Sequence, residues 1–164
     1  MKVIFLDIDG VLNSTQYWES IQDEKKTMLE MESELDPKCI RNLKKIVDAT
    51  NAKIVVTSTW KRIIRKMNKF ERYIPQYGLH VYDKTPCHPD GAIHRGDEIR
   101  QYLKEHKNEV DKFILIDDEE YPDFNELTNY LVKTNFYKDG LCESHVKEAI
   151  ERLGKVKKKQ EIER

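Results

Sequence analysis

Val3-Ile4-Phe5-Leu6-Asp7-Ile8-Asp9-Gly10-Val11-Leu12-Asn13 is the segment from which the rest of the chain is read. Its apolar run has the length and branching of a strand buried on both faces, with charge admitted only at the C-terminal end. That end is where open parallel sheets bind their ligands. Two carboxylates this close raise each other's pKa when left alone, so Asp7 and Asp9 predict a bound cation or a split between nucleophile and acid. Gly10 lets the chain turn sharply directly after them.

Further along, Asp36-Pro37 reads as an N-cap with proline at the first helical position. Ile40, Leu43, Ile46, Val47 and Thr50 then recur on one face of a helix ending near Asn51. Lys53-Ile54-Val55-Val56-Thr57 is a second buried strand, so Ser58 is expected at the same sheet edge as Asp7. A helix over residues 60–72 is predicted to turn Ile63, Ile64, Met67 and Phe70 inward, with a short strand at 79–82 and a Pro/Gly/His loop at 84–94. A helix from Arg95 leads to a strand, Lys112-Phe113-Ile114-Leu115-Ile116, that also stops in paired carboxylates, Asp117-Asp118. A short helix after Pro122, a last strand within 131–135 and a helix carrying Val146, Ala149, Ile150 and Leu153 close the pattern. Alternating strands and helices predict an α/β fold, a single doubly wound parallel sheet with helices on both faces. The domain is expected to span residues 1–154, with residues 155–164 a charged tail.

At 164 residues the chain is long enough for one domain with a sizeable core and short for two. No apolar run reaches the roughly 18 residues that span a bilayer, and acidic residues interrupt the N-terminal apolar segment as no signal peptide does. The expectation is a cytoplasmic protein that does not engage membranes, taken as a monomer. Cys39, Cys87 and Cys142 are far apart and predict reduced thiols. The histidines are scattered, and His88 and His94 lack helical ligand spacing, which argues against zinc. The net charge of −1 excludes a chain basic all over, yet charge is uneven. Residues 19–36 hold seven acidic and two basic side chains, whereas Lys61, Arg62, Arg65, Lys66, Lys69 and Arg72 stand against Glu71 alone.

Four apolar residues followed by Asp-x-Asp-Gly-Val-Leu resemble the first motif of the haloacid-dehalogenase (HAD) superfamily of phosphatases. More narrowly, Asp-Gly-Val-Leu-Asn, Ser58-Thr59-Trp60-Lys61, Thr85-Pro86, Arg95-Gly96-Asp97-Glu98-Ile99, Ile116-Asp117-Asp118-Glu119 and Val132-Lys133-Thr134 with Gly140-Leu141 are similar to the HAD domain of Swiss-Army-knife RNA repair proteins. Two positions depart from that pattern: Lys61 stands where Arg is expected and Cys142 where Thr is.

The resemblance implies Asp7 as the nucleophile that forms an aspartyl-phosphate, with Asp9 protonating the leaving oxygen and then activating water. Ser58 and Thr59, with backbone amides, would hold phosphate oxygens. Arg95 is the leading fixed cation at the phosphate, with Lys61 and Lys84 in reserve. Asp118, with Asp117 beside it, Asp7 and Asp9 make the oxygen set expected to hold Mg²⁺. Once a helix and a strand are subtracted, only about twenty residues separate Asp9 from Ser58, longer than an ordinary connection and too few for a full cap domain. Residues 14–35 are therefore expected to form a small flap over a mostly open site. An open site with a basic helix after Ser58 favours nucleic-acid terminal phosphates, RNA or DNA ends met by residues 61–72, as in repair. A nucleotidase closing over a free nucleotide is the second reading, and a non-catalytic phosphate- or nucleic-acid-binding module the third. A signalling receiver is disfavoured because its paired acids lie on an early strand and here the Asp117-Asp118 pair comes late.

Overall fold

The computed structural model describes residues 1–157. The predicted tail thus lies largely outside the described residues, although Val156 N still donates to the carbonyl of Ala49 at 2.9 Å. Five parallel strands, β1 (Lys2–Leu6), β2 (Lys53–Val56), β3 (Val81–Lys84), β4 (Lys112–Asp117) and β5 (Leu131–Lys133), form one sheet in the order β3-β2-β1-β4-β5. This is the doubly wound α/β fold expected from the sequence. The chain winds from β1 to β3 on one side and returns to the other side at β4, so the switch in winding lies between β1 and β4, where such sheets bind ligands.

The described residues hold six α-helices: α1 (Thr15–Ser20), α2 (Glu30–Glu34), α3 (Pro37–Thr50), α4 (Ile64–Tyr73), α5 (Arg95–Glu105) and α6 (Glu143–Leu153). The two-residue period of the strands assigns their side chains to faces. Ile4, Leu6, Ile114 and Ile116 enter the larger core with residues of α3, α4 and α6, whereas Val3, Phe5 and Leu115 meet Ile99 and Tyr102 of α5. Strand β1 is apolar on both faces because both are covered. Helix α3 begins and ends for local reasons. The Asp36 carboxylate accepts from Lys38 N, Pro37 fills the first turn, and Asn51 ends it in the left-handed region at φ 57°.

The helix expected over 60–72 is two elements. Thr59–Arg62 is a short 3-10 turn, Ile63 is extended, and the α-helix begins at Ile64. The Ser58 hydroxyl accepts from Trp60 N and fixes a turn that drives the Trp60 indole inward, edge-on to Phe70. The indole takes the inner position, which leaves Ile63 52% and Ile64 77% exposed; only Met67 and Phe70 of the predicted inward set are buried. Strand β3 starts two residues later than expected, after Gly78 ends a 3-10 turn at φ 76°. The helix expected after Pro122 is the 3-10 segment Asn125–Tyr130, which buries Leu127.

Residues 14–35 fold on themselves. Tyr17 donates to the carbonyl of Glu32, Trp18 Nε1 to that of Glu34 at 3.3 Å, and the Trp18 ring packs edge-on against Phe136. Glu30 of α2 pairs with Lys69 of α4. Among the described residues, no helix is long and apolar enough to cross a membrane.

Candidate active site

The sheet ladder runs one step past the strand ends. Thr85 N donates to Val56 O at 3.0 Å, Thr57 N to Leu6 O at 2.9 Å, Asp7 N to Ile116 O at 3.0 Å and Thr134 N to Asp117 O at 3.0 Å. Each strand therefore delivers a polar residue to one edge at a fixed height. Asp7 shares the face of Val3 and Phe5, and Asp117 that of Phe113 and Leu115, which is the face α5 covers. The first residue of α5 is Arg95, and it reaches both.

Buried Arg95 places Nη1 at 2.8 Å from Asp117 Oδ2 and 3.2 Å from Asp7 Oδ1. Burial works against its charge, but Asp7 and Asp117 outweigh that and hold the guanidinium pKa above its ordinary value. The Tyr121 ring lies 4.7 Å from the guanidinium carbon, and Arg95 Nε has no hydrogen-bond partner among the described residues. Burial pushes the Asp7 carboxyl up to about 7; Arg95 opposes the rise and Asp118 adds to it. Asp117 is raised too, by burial first and then by Asp7. Arg95 thus sits on the carboxylates rather than projecting toward solvent.

Asp9 is held separately. Its Oδ2 accepts from Trp60 Nε1 and its Oδ1 from Asn13 Nδ2, both at 2.9 Å. The Asn13 side chain also accepts from Gly10 N at 2.8 Å, so one residue ties the turn to the carboxylate. Gly10 has φ +81°, and a Cβ there would lie 2.3 Å from Asp118 Oδ2. No other residue type lets the β1 and β4 ends approach this closely. Thr134 closes the far side by donating to Gly10 O at 2.6 Å.

The basic and hydroxyl candidates divide. Ser58 is buried at the end of β2 and Thr59 is half-buried beside it. Lys61 turns away from Asp7: its ammonium lies 2.9 Å from Glu98 Oε2, 2.7 Å from Thr85 Oγ1 and 3.2 Å from Pro86 O. Arg62 Nη2 takes the other Glu98 oxygen at 2.8 Å. Burial lowers the Lys61 pKa against the pull of Glu98, while Glu98 is held below its ordinary value because Lys61 overcomes the cost of burial. Lys84 pairs with Glu71 at 2.6 Å, within the scaffold. Asn13, Trp60, Glu98 and Thr134 were not singled out individually from the sequence. Asn13, Trp60 and Glu98 lie inside the motif strings quoted for Asp9, Ser58 and Arg95, but their partners are 4, 51 and 37 residues away.

Ligand atoms of Asp7, Asp117 and Asp118 all lie within 4.8 Å of one another. Asp9, also expected among the oxygen donors, is outside that group because Trp60 and Asn13 hold its carboxylate. The donor set fits a hard divalent cation: all its atoms are oxygens, the three clustered carboxylates have only the Arg95 guanidinium paired with them, on Asp7 and Asp117, and burial raises the Asp7 pKa, a cost of ionisation that a bound cation offsets. Beside Asp9 and Asp118 opens a cleft of about 470 Å³ lined by Glu119, Lys133, Thr134, Asn135, Phe136 and Tyr137. A second cavity, of about 450 Å³, lies at the opposite end of the sheet around Asp111–Ile114, remote from these carboxylates.

Comparison with curated proteins and with solved structures returns no match. A family model described as the HAD domain in Swiss Army Knife RNA repair proteins matches residues 3–146, which takes in every strand and every carboxylate above. The buried Asp7 at the end of β1, the acidic oxygens of Asp117 and Asp118 beside it and Arg95 at the start of α5 all lie within the matched region, and the chain belongs to this HAD family.

Proposed function

We propose that the chain is a magnesium-dependent phosphomonoesterase that works through an aspartyl-phosphate at Asp7 and acts on the terminal phosphates of nucleic acids. The observation that carries this is the separation of the two N-terminal carboxylates: Asp7 is buried between Arg95 and Asp118, while Asp9 is held at the cleft by Trp60 and Asn13. Asp7 Oδ attacks phosphorus as the bond to the leaving oxygen breaks, and Asp9 gives that oxygen its proton. Asp9 then takes a proton from water, the water oxygen attacks phosphorus, and the Asp7–phosphorus bond breaks to release phosphate. Each Asp9 oxygen keeps a second lone pair for this proton. Arg95 holds the Asp7 carboxylate in place, and Ser58 with the Thr59 amide meets phosphate oxygens. Mg²⁺ bound by Asp7, Asp117 and Asp118 would neutralise phosphate oxygens.

The cleft supports a nucleic-acid end as substrate. Tyr137 is 79% exposed at its rim, a face on which a terminal base stacks, and Lys133 beside it meets the backbone. The basic helix contributes less than its composition suggests. Lys61 and Arg62 are taken by Glu98, Lys69 by Glu30, and Lys66 lies 4.1 Å over the Trp60 ring. Arg65 and Arg72 remain exposed for phosphate contacts. The cleft's volume also accommodates a free nucleotide, within the usual range of small-ligand pockets.

The test is phosphate release with Mg²⁺ or EDTA from an aryl phosphate, a nucleotide panel and 3′- and 5′-phosphorylated oligonucleotides, beside Asp7→Asn. Oligonucleotide ends should turn over best and only with Mg²⁺. A preference for free nucleotides would move the assignment to a nucleotidase, and release by Asp7→Asn would remove Asp7 as nucleophile.

A further inference from the structure

A second cluster of ligating side chains lies outside the phosphatase site, on the loop that joins β3 to α5. His88 and His94 are six positions apart on an irregular segment, where helical spacing has no meaning, and Gly91 at φ +77° turns the chain between them. Their rings stand 4.0 Å apart, centroid to centroid. Ligand atoms of His88, His94 and Asp97, in the first turn of α5, all lie within 4.8 Å of one another. Asp90 bridges one nitrogen of each ring, with Oδ1 2.9 Å from His88 Nδ1 and Oδ2 2.7 Å from His94 Nε2. The loop is held from below: Glu98 accepts from His88 N at 3.1 Å, Arg62 donates to the carbonyl of Ala92 at 2.8 Å, and Asp90 accepts from Ala92 N at 2.8 Å.

We propose that His88, His94 and Asp97, oriented by Asp90, form a site for a borderline divalent transition-metal ion of the Zn²⁺ type, distinct from the all-oxygen site at Asp7. Two imidazoles with a carboxylate select such ions, whereas Mg²⁺ disfavours nitrogen ligands. A carboxylate hydrogen-bonded to the rings is the partner that fixes imidazole orientation and tautomer at metal centres. Both rings are half-buried at the surface, so an ion has a path in. Because the ligands come from the loop and from α5, an ion there staples the loop to the helix whose first residue is Arg95.

The test uses the full chain with Mg²⁺ in excess to fill the carboxylate site. Zn²⁺ binding is followed by calorimetry, and Co²⁺ by the visible absorption of a nitrogen/oxygen site. One ion should bind per chain and raise Tm. The double variant His88→Ala/His94→Ala should lose the band and the Tm gain with its metal-free melting unchanged; Asp90→Asn should weaken affinity by about 10–100-fold. Asp118→Asn should retain the band. No Zn²⁺ uptake by the wild-type chain, binding that survives the double variant, or binding abolished by Asp118→Asn would each overturn the proposal.

Discussion

Two buried charge clusters flank the first turn of α5 and have opposite balances. At Arg95, three carboxylates face one cation; at Glu98, three residues further on, two cations face one carboxylate. The Glu98 cluster is saturated. Both of its oxygens are taken by Lys61 and Arg62, and His88 N adds a third bond. The Arg95 cluster has more carboxylates than cations, and burial, the main cause of the raised pKa values of Asp7 and Asp117, makes that surplus expensive to ionise. A closed cluster serves as scaffold, whereas an open one can take up positive charge.

The strongest challenge to this contrast is Asp7→Asn. It should lower phosphate release by at least about 10³-fold, since a lost nucleophile is not replaced by its neighbours, while metal-free melting is unchanged or raised because one repelling charge is gone. Next comes removal of the central partner in each cluster. Glu98→Ala strands Lys61 in the interior and should cost about 3–5 kcal/mol in urea unfolding, whatever the Mg²⁺ concentration. Arg95→Met should also destabilise the metal-free chain, but Mg²⁺ should restore much of the loss because the ion replaces the missing charge. Equal rescue of both variants would erase the distinction.

Gly10→Ala acts through geometry alone. A left-handed backbone costs a residue with a Cβ about 1–2 kcal/mol, and the 2.3 Å approach to Asp118 forces that carboxylate aside, so Mg²⁺ affinity should fall with stability.

The pH dependence has a definite sign. Folded Asp7 titrates near 7 rather than at its ordinary value of 3.8, so between those limits the metal-free folded state binds a proton that the unfolded state has lost. That contribution is present in full below the unfolded pKa and is lost as pH rises through about 7. Mg²⁺ holds the carboxylate ionised, so its Tm increment should be larger at about pH 8 than at about pH 5.5, and Asp7→Asn should flatten the difference. The smallest effect is expected of Arg65→Glu/Arg72→Glu, which should lower oligonucleotide turnover a few-fold and leave aryl phosphate unaffected. The salt slope of that turnover should fall by roughly one for each phosphate these side chains no longer neutralise.

How far the sequence could be read depended on whether a feature was local. Helix α3 was legible to the residue at its start because Asp36, Pro37 and the Lys38 amide settle it among themselves. The buried β1 and β4 were legible because both faces are covered and their apolar runs are unbroken. The start of α4 was not: Ile63 and Ile64 fit a helical period, but the inward place belongs to Trp60, through a bond from its indole to Asp9 51 positions away. Asp7, Asp9 and Asp118 stood out at strand ends, whereas Arg95, expected at the phosphate, lies on the carboxylates of Asp7 and Asp117, and the destination of Lys61 followed neither from the residues nor from the resemblance. His88 and His94 argue against zinc when judged by helical ligand spacing, a criterion with no bearing on a loop that brings their rings within 4.0 Å.

The extension of the ladder past the strand ends sets how the site behaves in time. The Asp7 amide is bonded to Ile116 O and the Thr57 amide to Leu6 O, which ties both to the three inner strands of the sheet. In hydrogen–deuterium exchange these amides should open only when the whole domain does. Asp7, the proposed nucleophile, is then as immobile as the core, and a substrate must come to it. Adjustment during turnover falls to what hangs beyond the ladder: the turn after Asp9, the segment around Tyr137 and the loop before Arg95. Slow-exchanging and fast-exchanging amides should therefore meet within two or three residues of Asp7, a boundary that an exchange map can trace directly.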